Sequence, residues 1–456
     1  MTKILVLGGG PAGYVAALRA AQLGAAVTVV EAREIGGTCL NRGCVPTKAM
    51  VTGAERLHHA RGSAEFGVVT GEVGLDFAAF MARKEQATVQ LRGGVEQLLK
   101  ARKVEVVAGR ATLAGPGRLL LDDGRTLVAD AVILASGSEP VRLPVFDWDD
   151  LRVMTSDELL AIDHVPARLA IVGGGVIGCE FASVFTRLGS NVTVVEMLDQ
   201  LLPGEDKRTG RSLQQAFKKA SIDVVLKTAV EAYSAAADGL TLHLADGREV
   251  GADVALVSVG RRPVSHGLGY SEAGVAIDER GFVVVDETLR TSLDGVFAAG
   301  DVAGPPLLAH WAYHEGAVAA ENAVTGGQAA VDRSVVPNCV FSSPEVASFG
   351  LTEDRAADEG RAVDVAHVRF NGNSKAVIEG ENDGYVRIVC EPDGGRVLGA
   401  SLVGPRVTEL VHELALAARA GLALADVAAT IHAHPTLAEA VGEAALNGMG
   451  RGMHSL

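Results

Sequence analysis

The sequence predicts an α/β fold in which two copies of one strand–turn–helix–strand unit precede a C-terminal α+β domain. The main observation is an internal repeat: residues 4–13 read ILVLGGGPAG, and residues 169–178 read LAIVGGGVIG. Each copy begins with an apolar run typical of a buried strand and continues into a helical pattern. Each then reaches the same second strand, VTVVE, at 27–31 and at 192–196. The constant offset of 165 residues indicates a duplicated unit.

The composition is that of a globular protein of about three domains. The chain has 456 residues, of which 48% are hydrophobic and 21% are charged. Its net charge is −15, and because it contains no basic run, nucleic acid is not an expected partner. No uncharged apolar run reaches the roughly 18 residues that suggest a membrane helix. We therefore expect a cytoplasmic protein without a membrane partner, and the apolar start after Lys3 fits a strand better than a signal peptide.

Both copies carry the G-x-G-x-x-G pattern between a strand and a helix. The first glycine allows the tight turn, the second lets a pyrophosphate approach the backbone, and the third lets helix and strand pack closely. The helix N-terminus offers free N–H groups to the phosphates. The two copies therefore predict two Rossmann-like dinucleotide-binding domains. The glycines of the pattern are Gly8, Gly10, Gly13, Gly173, Gly175 and Gly178.

An acidic residue ends the second strand of each copy, about 20 residues after the glycines. Glu31 and Glu196 could each accept a hydrogen bond from a ribose 2′-hydroxyl. A carboxylate there would repel a 2′-phosphate, and no Arg closely follows Glu196, so the second site should prefer NAD to NADP. The alternative is that both are ordinary residues at the end of a strand.

Two cysteines follow the first copy, within GGTCLNRGCVPTK at 36–48. Zinc-binding pairs are usually closer together and have a second pair downstream, so no metal site is expected and a redox pair is favoured. A neighbouring helix N-terminus and Lys48 would favour the reactive thiolate of Cys39 or Cys44. The alternative is a pair of buried structural cysteines. The other cysteines lie in apolar stretches and are interpreted as small core residues: Cys179, Cys339 and Cys390.

Motifs along essentially the whole chain resemble those of the flavoprotein pyridine nucleotide–disulfide oxidoreductases. The resemblance implies FAD and NAD as cofactors, a homodimer, and a C-terminal α+β dimerisation domain. The motifs that carry it are GGTCLNRGCVPTK at 36–48, ASGS at 135–138, GGGVIGCEFA at 173–182, GRRP at 260–263, TSLDGVFAAGD at 291–301, LLAHWAYHEG at 307–316 and HAHPTLAEA at 432–440.

The same resemblance implies cofactor-binding roles for residues of both copies. Ala111 would touch the adenine, Asp301 would bond the ribitol, Val176 would line the nicotinamide pocket, and Lys48 would pair with Glu180 beside the flavin. The implied cofactor-binding set is Gly8, Gly10, Pro11, Ala12, Gly13, Glu31, Gly37, Thr38, Lys48, Ala111, Ser136, Gly137, Asp301, Leu308, Ala309, Gly173, Gly175, Val176, Ile177, Glu180, Glu196 and Gly260.

A histidine and a glutamate near the C-terminus complete the predicted site. Pro435 disfavours simple helix continuation, so His434 should precede a helix that carries Glu439. The carboxylate could then orient the ring as a base. A lone histidine is more often a surface residue, but the resemblance implies that His434 and Glu439 act on the dithiol of the other subunit. His432 is interpreted as structural.

Within this family, the sequence is most similar to the branch that oxidises dihydrolipoamide. Glu196 differs from the basic residues of NADPH-using members, and the tail at 448–456 lacks an additional cysteine pair. The implied partners are dihydrolipoamide on a lipoyl domain and a 2-oxo acid dehydrogenase complex. The alternatives are another NAD(P)H-dependent reductase of a small disulfide on the same scaffold, and a subunit kept mainly for binding.

The expected division of the chain follows from the position of the second copy within the first domain. We predict an FAD-binding domain at 1–143, an NAD-binding domain at 144–263, a central domain at 264–334 that completes the FAD site, and an interface domain at 335–456. An Ala- and Leu-rich helix at about 406–420 should belong to the dimer core.

Overall fold

The computed structural model describes residues 1–454, and its first segment contains the first copy of the repeat. The elements of this segment are β1 (Lys3–Leu7), α1 (Pro11–Gln22), β2 (Ala26–Glu31), α2 (Gly37–Arg42), α3 (Cys44–Gly62), α4 (Phe77–Ala101), β3 (Glu105–Ala108), β4 (Ala111–Gly115), β5 (Arg118–Leu121), β6 (Thr126–Val128), β7 (Ala131–Leu134) and β8 (Ser138–Pro140).

The second segment contains the second copy. Its elements are β9 (Val153–Met154), α5 (Ser156–Leu159), β10 (Arg168–Val172), α6 (Val176–Leu188), β11 (Asn191–Glu196), α7 (Lys207–Lys219), β12 (Asp223–Leu226), β13 (Val230–Ala236), β14 (Gly239–Leu244), β15 (Glu249–Ala252), β16 (Val254–Val257) and β17 (Arg261–Pro263).

The third segment begins with one further strand and one long helix, which precede the C-terminal sheet. Its elements are β18 (Val296–Ala298), α8 (Ala309–Thr325), β19 (Asn338–Val340), β20 (Glu345–Gly350), α9 (Glu353–Asp358), β21 (Asp364–Arg369), α10 (Ser374–Glu379), β22 (Tyr385–Cys390), β23 (Val397–Gly404), α11 (Val407–Arg419), α12 (Leu424–Ala429) and α13 (Glu439–Gly448).

Each copy of the repeat lies at the centre of a five-stranded parallel sheet. The first sheet has the order β18-β7-β1-β2-β3, and the second has the order β12-β11-β10-β16-β9. The central strands β1 and β10 are almost entirely buried, as expected for strands covered on both faces. Because β18 completes the first sheet from far along the chain, the second unit is inserted into the first.

Helices α1 and α8 pack closely against each other beside the first sheet. Small residues of α1 allow this approach, and a Cβ added at Gly316 of α8 would lie 2.3 Å from the carbonyl oxygen of Ala12. Ala12, Ala16 and Ala20 are buried in the same contact region. A larger side chain on either helix would force them apart, so this packing fixes the N-terminus of α1 against the rest of the fold.

The C-terminal sheet is antiparallel, with the order β19-β20-β23-β22-β21. Helices α11 and α13 contact the sheet, and α7 of the second segment also contacts β23. The predicted fold class, two Rossmann-like units and a C-terminal α+β domain, is confirmed, and the predicted helix at 406–420 is α11. The predicted domain boundaries stay predictions. Within residues 1–454, no helix combines the length and the apolar character needed to span a bilayer.

Candidate functional site

The first glycine turn has the backbone geometry that close contact with a phosphate requires. Gly8 adopts φ +106°, and a Cβ there would lie 2.3 Å from the Ala135 carbonyl oxygen. A Cβ at Gly13 would lie 1.9 Å from the Gly8 carbonyl oxygen. Gly10 precedes α1, which has no side-chain cap, and Pro11 and Ala12 are its first residues. The free N–H groups at this helix start can therefore meet a pyrophosphate.

The second glycine turn repeats the first. Gly173 adopts φ +111°, and a Cβ at Gly178 would lie 2.0 Å from the Gly173 carbonyl oxygen. Gly175 precedes α6, again without a side-chain cap, and Val176 and Ile177 begin the helix. The residues of both turns thus fit a bound dinucleotide.

The acid at the end of each second strand holds its own glycine turn. Glu31 accepts hydrogen bonds from the N–H groups of Gly9 at 2.6 Å and Arg33 at 2.8 Å. Glu196 accepts the equivalent bonds from Gly174 at 2.7 Å and Leu198 at 2.8 Å. A carboxylate has about four acceptor positions, so a ribose hydroxyl can still bond to it. Sequence reasoning predicted the ribose contact but not this support of the turn.

A second group of predicted FAD residues surrounds the carboxyl ends of β7 and β18. Asp301 lies three residues after the end of β18 and accepts a hydrogen bond from the Ser138 hydroxyl at 2.5 Å. Ser138 in turn accepts one from Arg261 Nε at 2.7 Å. Ser136 donates to the Val264 carbonyl oxygen, and Gly137 adopts φ +75°. This network holds the Asp301 carboxylate in place at the sheet edge where ligands of parallel sheets bind.

The remaining predicted cofactor residues lie on several separate elements. Leu308 precedes α8, and Ala309 is its first residue. Ala111 is a buried residue that begins β4. Gly260, at φ +122°, lies between β16 and β17, in the second unit. The last two, Gly37 and Thr38, begin α2 and lead directly into the cysteine pair.

The two cysteines lie on consecutive helices, the short α2 and the long α3. Cys39 is in α2 and is 8% exposed, whereas Cys44 is the exposed first residue of α3. Both are free thiols, and Gly43 makes the bend between the helices. The hydrogen bond between the two thiols, and then burial, raise the pKa of Cys39. The same hydrogen bond and the Lys48 ammonium lower the pKa of Cys44 to about 7, although burial opposes this.

Lys48 and Glu180 form an ion pair that joins three parts of the chain. Lys48 Nζ lies 2.7 and 2.8 Å from the two oxygens of the Glu180 carboxylate, which is 4% exposed. The Phe341 N–H also donates to this carboxylate at 3.0 Å, and the ammonium lies 4.7 Å from the centroid of the Phe341 ring. The pair thus connects α3, α6 and the residue after β19, and it places a positive charge near Cys44.

Two tyrosines beside Cys39 were not predicted. The rings of Tyr14 and Tyr313 have centroids 5.9 Å apart. The Tyr313 hydroxyl lies close enough to the Cys39 thiol to form a hydrogen bond, which acts to lower the thiol pKa. Burial raises the pKa of both phenols, so they stay neutral donors. Because these side chains come from α1 and α8, only the contact between those helices brings them to the cysteine.

His434 and Glu439 are paired as predicted from the resemblance. His434 precedes α13, Glu439 is its first residue, and His434 Nδ1 lies 2.9 Å from a Glu439 oxygen. The other Glu439 oxygen accepts the Thr436 N–H at 2.8 Å. Burial of this carboxylate acts to raise its pKa, but the Thr436 N–H and the His434 ring outweigh it and lower the pKa. The His434 side chain is 69% exposed, and Glu439 is its hydrogen-bond partner within residues 1–454.

Within residues 1–454, no hydrogen bond or ion pair joins His434 or Glu439 to Cys39 or Cys44. Cys39 and Cys44 lie beside the first parallel sheet, whereas His434 precedes a helix of the C-terminal domain. Nearby, His432 is a largely buried side chain whose Nε2 lies 3.0 Å from Glu413, consistent with a structural role.

The other three cysteines lie in the protein interior, as expected for core residues. Cys179 and Cys390 are buried, and Cys339 is partly buried. Burial raises the pKa of all three thiols, to about 12 for Cys339 and about 11 for Cys390. They are therefore neutral and unreactive at physiological pH.

Comparisons with known proteins agree on the family. Residues 2–316 match the pyridine nucleotide-disulphide oxidoreductase family, and residues 336–445 match its dimerisation domain. The chain is 42% identical to a dihydrolipoyl dehydrogenase of Haloferax volcanii, with 100% of this chain and 98% of the relative covered. It is 39% identical to one of Geobacillus stearothermophilus, with 99% and 97% covered.

Solved structures give the same picture. LpdA from Mycobacterium tuberculosis superposes with a TM-score of 0.91 at 30% identity, covering 98% of this chain and 99% of that one. The HOCl-induced flavoprotein disulfide reductase RclA from Escherichia coli superposes with a TM-score of 0.88 at 27% identity, covering 96% and 98%. The similarity thus extends over both glycine turns, the cysteine pair and the C-terminal domain.

Proposed function

The chain belongs to the pyridine nucleotide-disulphide oxidoreductase family, and on that basis we propose that it is a dihydrolipoyl dehydrogenase. It oxidises dihydrolipoamide to lipoamide through the dithiol of Cys39 and Cys44, with FAD as resident cofactor and NAD⁺ as final acceptor. The observation that carries the proposal is the cysteine pair itself, in which the Cys44 thiol has a pKa of about 7 beside the Lys48–Glu180 ion pair. With this pKa, a large fraction of the Cys44 thiol is ionised at neutral pH, and the thiolate is the reactive form.

The order of pKa values determines which sulfur the substrate attacks. In thiol–disulfide exchange, the thiol with the lower pKa is the better leaving group. In the oxidised enzyme, a substrate thiolate therefore attacks Cys39, the Cys39–Cys44 bond breaks, and Cys44 leaves as a thiolate stabilised by Lys48. The second substrate sulfur then attacks the first, closes the lipoamide disulfide and releases Cys39. Two thiols of the substrate are oxidised, and one enzyme disulfide is reduced to a dithiol.

His434 supplies the base for these steps. Because Glu439 accepts the Nδ1 hydrogen bond, Nε2 is left as the acceptor for a substrate proton. The pair lies at an exposed position far along the chain from its own dithiol, and the chain carries a dimerisation domain, so we assign its action to the dithiol of the partner subunit. His434 takes the proton of the attacking thiol and returns it to the released Cys39. The proton of the second substrate thiol passes to the Cys44 thiolate, so that the enzyme ends as the dithiol.

The glycine turns supply the two cofactor sites. The first turn, Glu31 and Asp301 would hold FAD, and the second turn, Glu196 and Gly260 would hold NAD. FAD, when bound, supplies the two-electron step between the dithiol and the nicotinamide. Lys48 and Glu180 keep a fixed charge pair at the junction of the two units. We also propose four domains, at 1–143, 144–263, 264–334 and 335–456, as the functional division.

The cellular context is part of the same proposal. A lipoyl group is carried on the acyltransferase subunit of a 2-oxo acid dehydrogenase complex, so the homodimer should dock on such a complex in the cytoplasm. The net charge of −15 suits a basic docking domain.

The test is an absorbance assay of the purified FAD-loaded protein. NAD⁺ reduction is followed with dihydrolipoamide, and NADP⁺ and glutathione serve as controls for the acceptor and the thiol. NAD-specific turnover with dihydrolipoamide is the expected result. A flavin spectrum without that turnover would assign the dithiol to another small disulfide.

A further inference from the structure

Helix α7 is strongly basic in an otherwise acidic chain. Its 13 residues, Lys207–Lys219, include five Lys or Arg and no acid, whereas the whole chain has a net charge of −15. Lys207 and Arg208 lie in the first turn, where the helix dipole already presents positive charge and favours acids.

One side of α7 faces the C-terminal sheet across an open groove of about 450 Å³, a volume typical of sites for small ligands. Arg208, Arg211 and Lys219 lie on this side, because they are spaced at helical intervals. Arg369 at the end of β21 and Arg387 in β22 form the opposite wall. Five cations from separate segments thus meet in one concave site at the junction of two domains.

Among residues 1–454, acids neutralise two of these five cations. The buried Arg387 pairs with Asp206 and Glu353. Lys219 Nζ lies 2.7 Å from an oxygen of Asp383.

The other three groove cations have exposed side chains without such a partner. The backbone N–H of Arg208 donates to Asp206, but the guanidinium groups of Arg208, Arg211 and Arg369 form no ion pair or hydrogen bond with any residue from 1 to 454. Their fork of N–H donors is therefore free to bind an anion, and a guanidinium suits a phosphate because two of its N–H groups can bond in parallel.

The positive charge of the groove arginines also acts on a histidine that lines the groove. The pKa of His367 is lowered by burial first and then by Arg387, Arg208 and Arg369. Three cations from both walls therefore act on one ring, as they would on an anion placed there. Tyr385 also lines the groove, but it is buried with its hydroxyl 3.0 Å from Thr209.

We propose that this groove is a binding site for a compact polyanion recognised through its phosphoryl groups, such as a di- or triphosphate chain. The site is separate from both glycine turns, and it joins α7 of the NAD-binding unit to β21 and β22 of the dimerisation domain. Neither glycine turn nor the dithiol shares a residue with it, so the inference does not depend on the substrate of the enzyme.

The test is calorimetric titration of the FAD-loaded dimer with inorganic tripolyphosphate. Saturating NAD⁺ is present throughout, since the second glycine turn would otherwise bind phosphate as well. The test variant is Arg208→Gln/Arg369→Gln, which removes one free guanidinium from each wall. The matched control is Arg102→Gln/Arg118→Gln, which removes two exposed arginines outside the groove.

We expect one tripolyphosphate per chain, binding at least about tenfold weaker to the test variant and unchanged in the control. Flavin content and NADH-dependent turnover should be the same in all three proteins. Equal affinity in wild type and test variant would overturn the site, as would sulfate binding as tightly as tripolyphosphate at matched ionic strength. Poly-glutamate binding more tightly than tripolyphosphate would overturn the ligand class and assign the groove to an acidic protein segment.

Discussion

The two glycine turns have almost the same geometry but different surroundings. In each, the acid that ends the second strand accepts a hydrogen bond from the N–H of the middle glycine. The distance is 2.6 Å from the Gly9 nitrogen to the Glu31 carboxylate and 2.7 Å from the Gly174 nitrogen to the Glu196 carboxylate. The helix that follows starts with free N–H groups in both copies. The turn alone therefore specifies a dinucleotide phosphate and does not distinguish one dinucleotide from the other.

The difference lies in what covers each turn. A Cβ at Gly37, which adopts φ +56°, would lie 2.6 Å from the Gly10 Cα, so the segment before the dithiol closes over the first turn. A Cβ at Gly175 would find no atom within 4 Å, so the second turn is open. A covered turn suits a cofactor that stays bound, and an open turn suits one that exchanges in every catalytic cycle. The covered unit and the open unit can therefore be changed one at a time, with the other unit as the internal control.

The largest effect should come from the dithiol attached to the covered unit. Cys44→Ser removes the better leaving group, so dihydrolipoamide turnover should fall by on the order of 10⁴-fold or more. Neither glycine turn is changed, so FAD content and reduction of the bound flavin by NADH should persist. Turnover assays and stopped-flow absorbance measure the two halves separately. Unchanged turnover would refute the assignment of the dithiol.

Loss of the base should slow the same half-reaction less. His434→Gln keeps a hydrogen-bonding side chain next to Glu439 but cannot take a proton, so reduction of the dithiol should slow by about 10²–10⁴-fold. The matched variant His432→Gln, which alters a structural pair with Glu413, should leave that rate near wild type. If His434→Gln changed only the KM for NAD⁺, this residue would act in NAD binding and not on the dithiol.

A buried acid beside the covered unit, Glu315, should make stability depend on pH. Glu315 is fully buried and accepts the Gly300 N–H at 2.8 Å, next to Asp301, and burial raises its pKa to about 7. The folded chain thus retains a proton that the unfolded chain releases near pH 4.5. This contribution to stability is fully present below about pH 4.5 and is lost as the pH rises through about 7.

The expected size of this effect is roughly 3 kcal/mol at most, from about 1.4 kcal/mol per pKa unit. The Glu315→Gln variant stays neutral at every pH, so between pH 5 and pH 7.5 wild type should lose stability relative to it. Urea unfolding of both FAD-loaded proteins at the two pH values measures the difference. If the two proteins differed in free energy of unfolding by the same amount at both pH values, Glu315 would not titrate in this range.

Much of the fold and part of the site could be predicted from the sequence because the relevant patterns are local. The glycine turns, the strands beside them and the Cys39–Cys44 spacing each occupy a short segment. The pairing of His434 with Glu439 could also be predicted, because both residues lie in one short C-terminal motif. Contacts between distant helices had no such pattern. Tyr313 reaches Cys39 only because α1 and α8 pack closely, and the groove cations meet only because α7 lies against the C-terminal sheet.

The smallest expected effect concerns the open unit alone. Glu196→Arg replaces a carboxylate that would repel a 2′-phosphate with a cation that would attract one, so the preference for NAD⁺ over NADP⁺, measured as a ratio of kcat/KM, should fall by about tenfold or more. Because Glu196 also holds the Gly174 N–H, Glu196→Gln is needed as a control that keeps an acceptor but loses the charge. Flavin content should stay unchanged in both variants, since the covered turn relies on Glu31. An unchanged ratio in Glu196→Arg would mean that this acid supports the turn without reading the ribose, and the two units would then differ only in how they are covered.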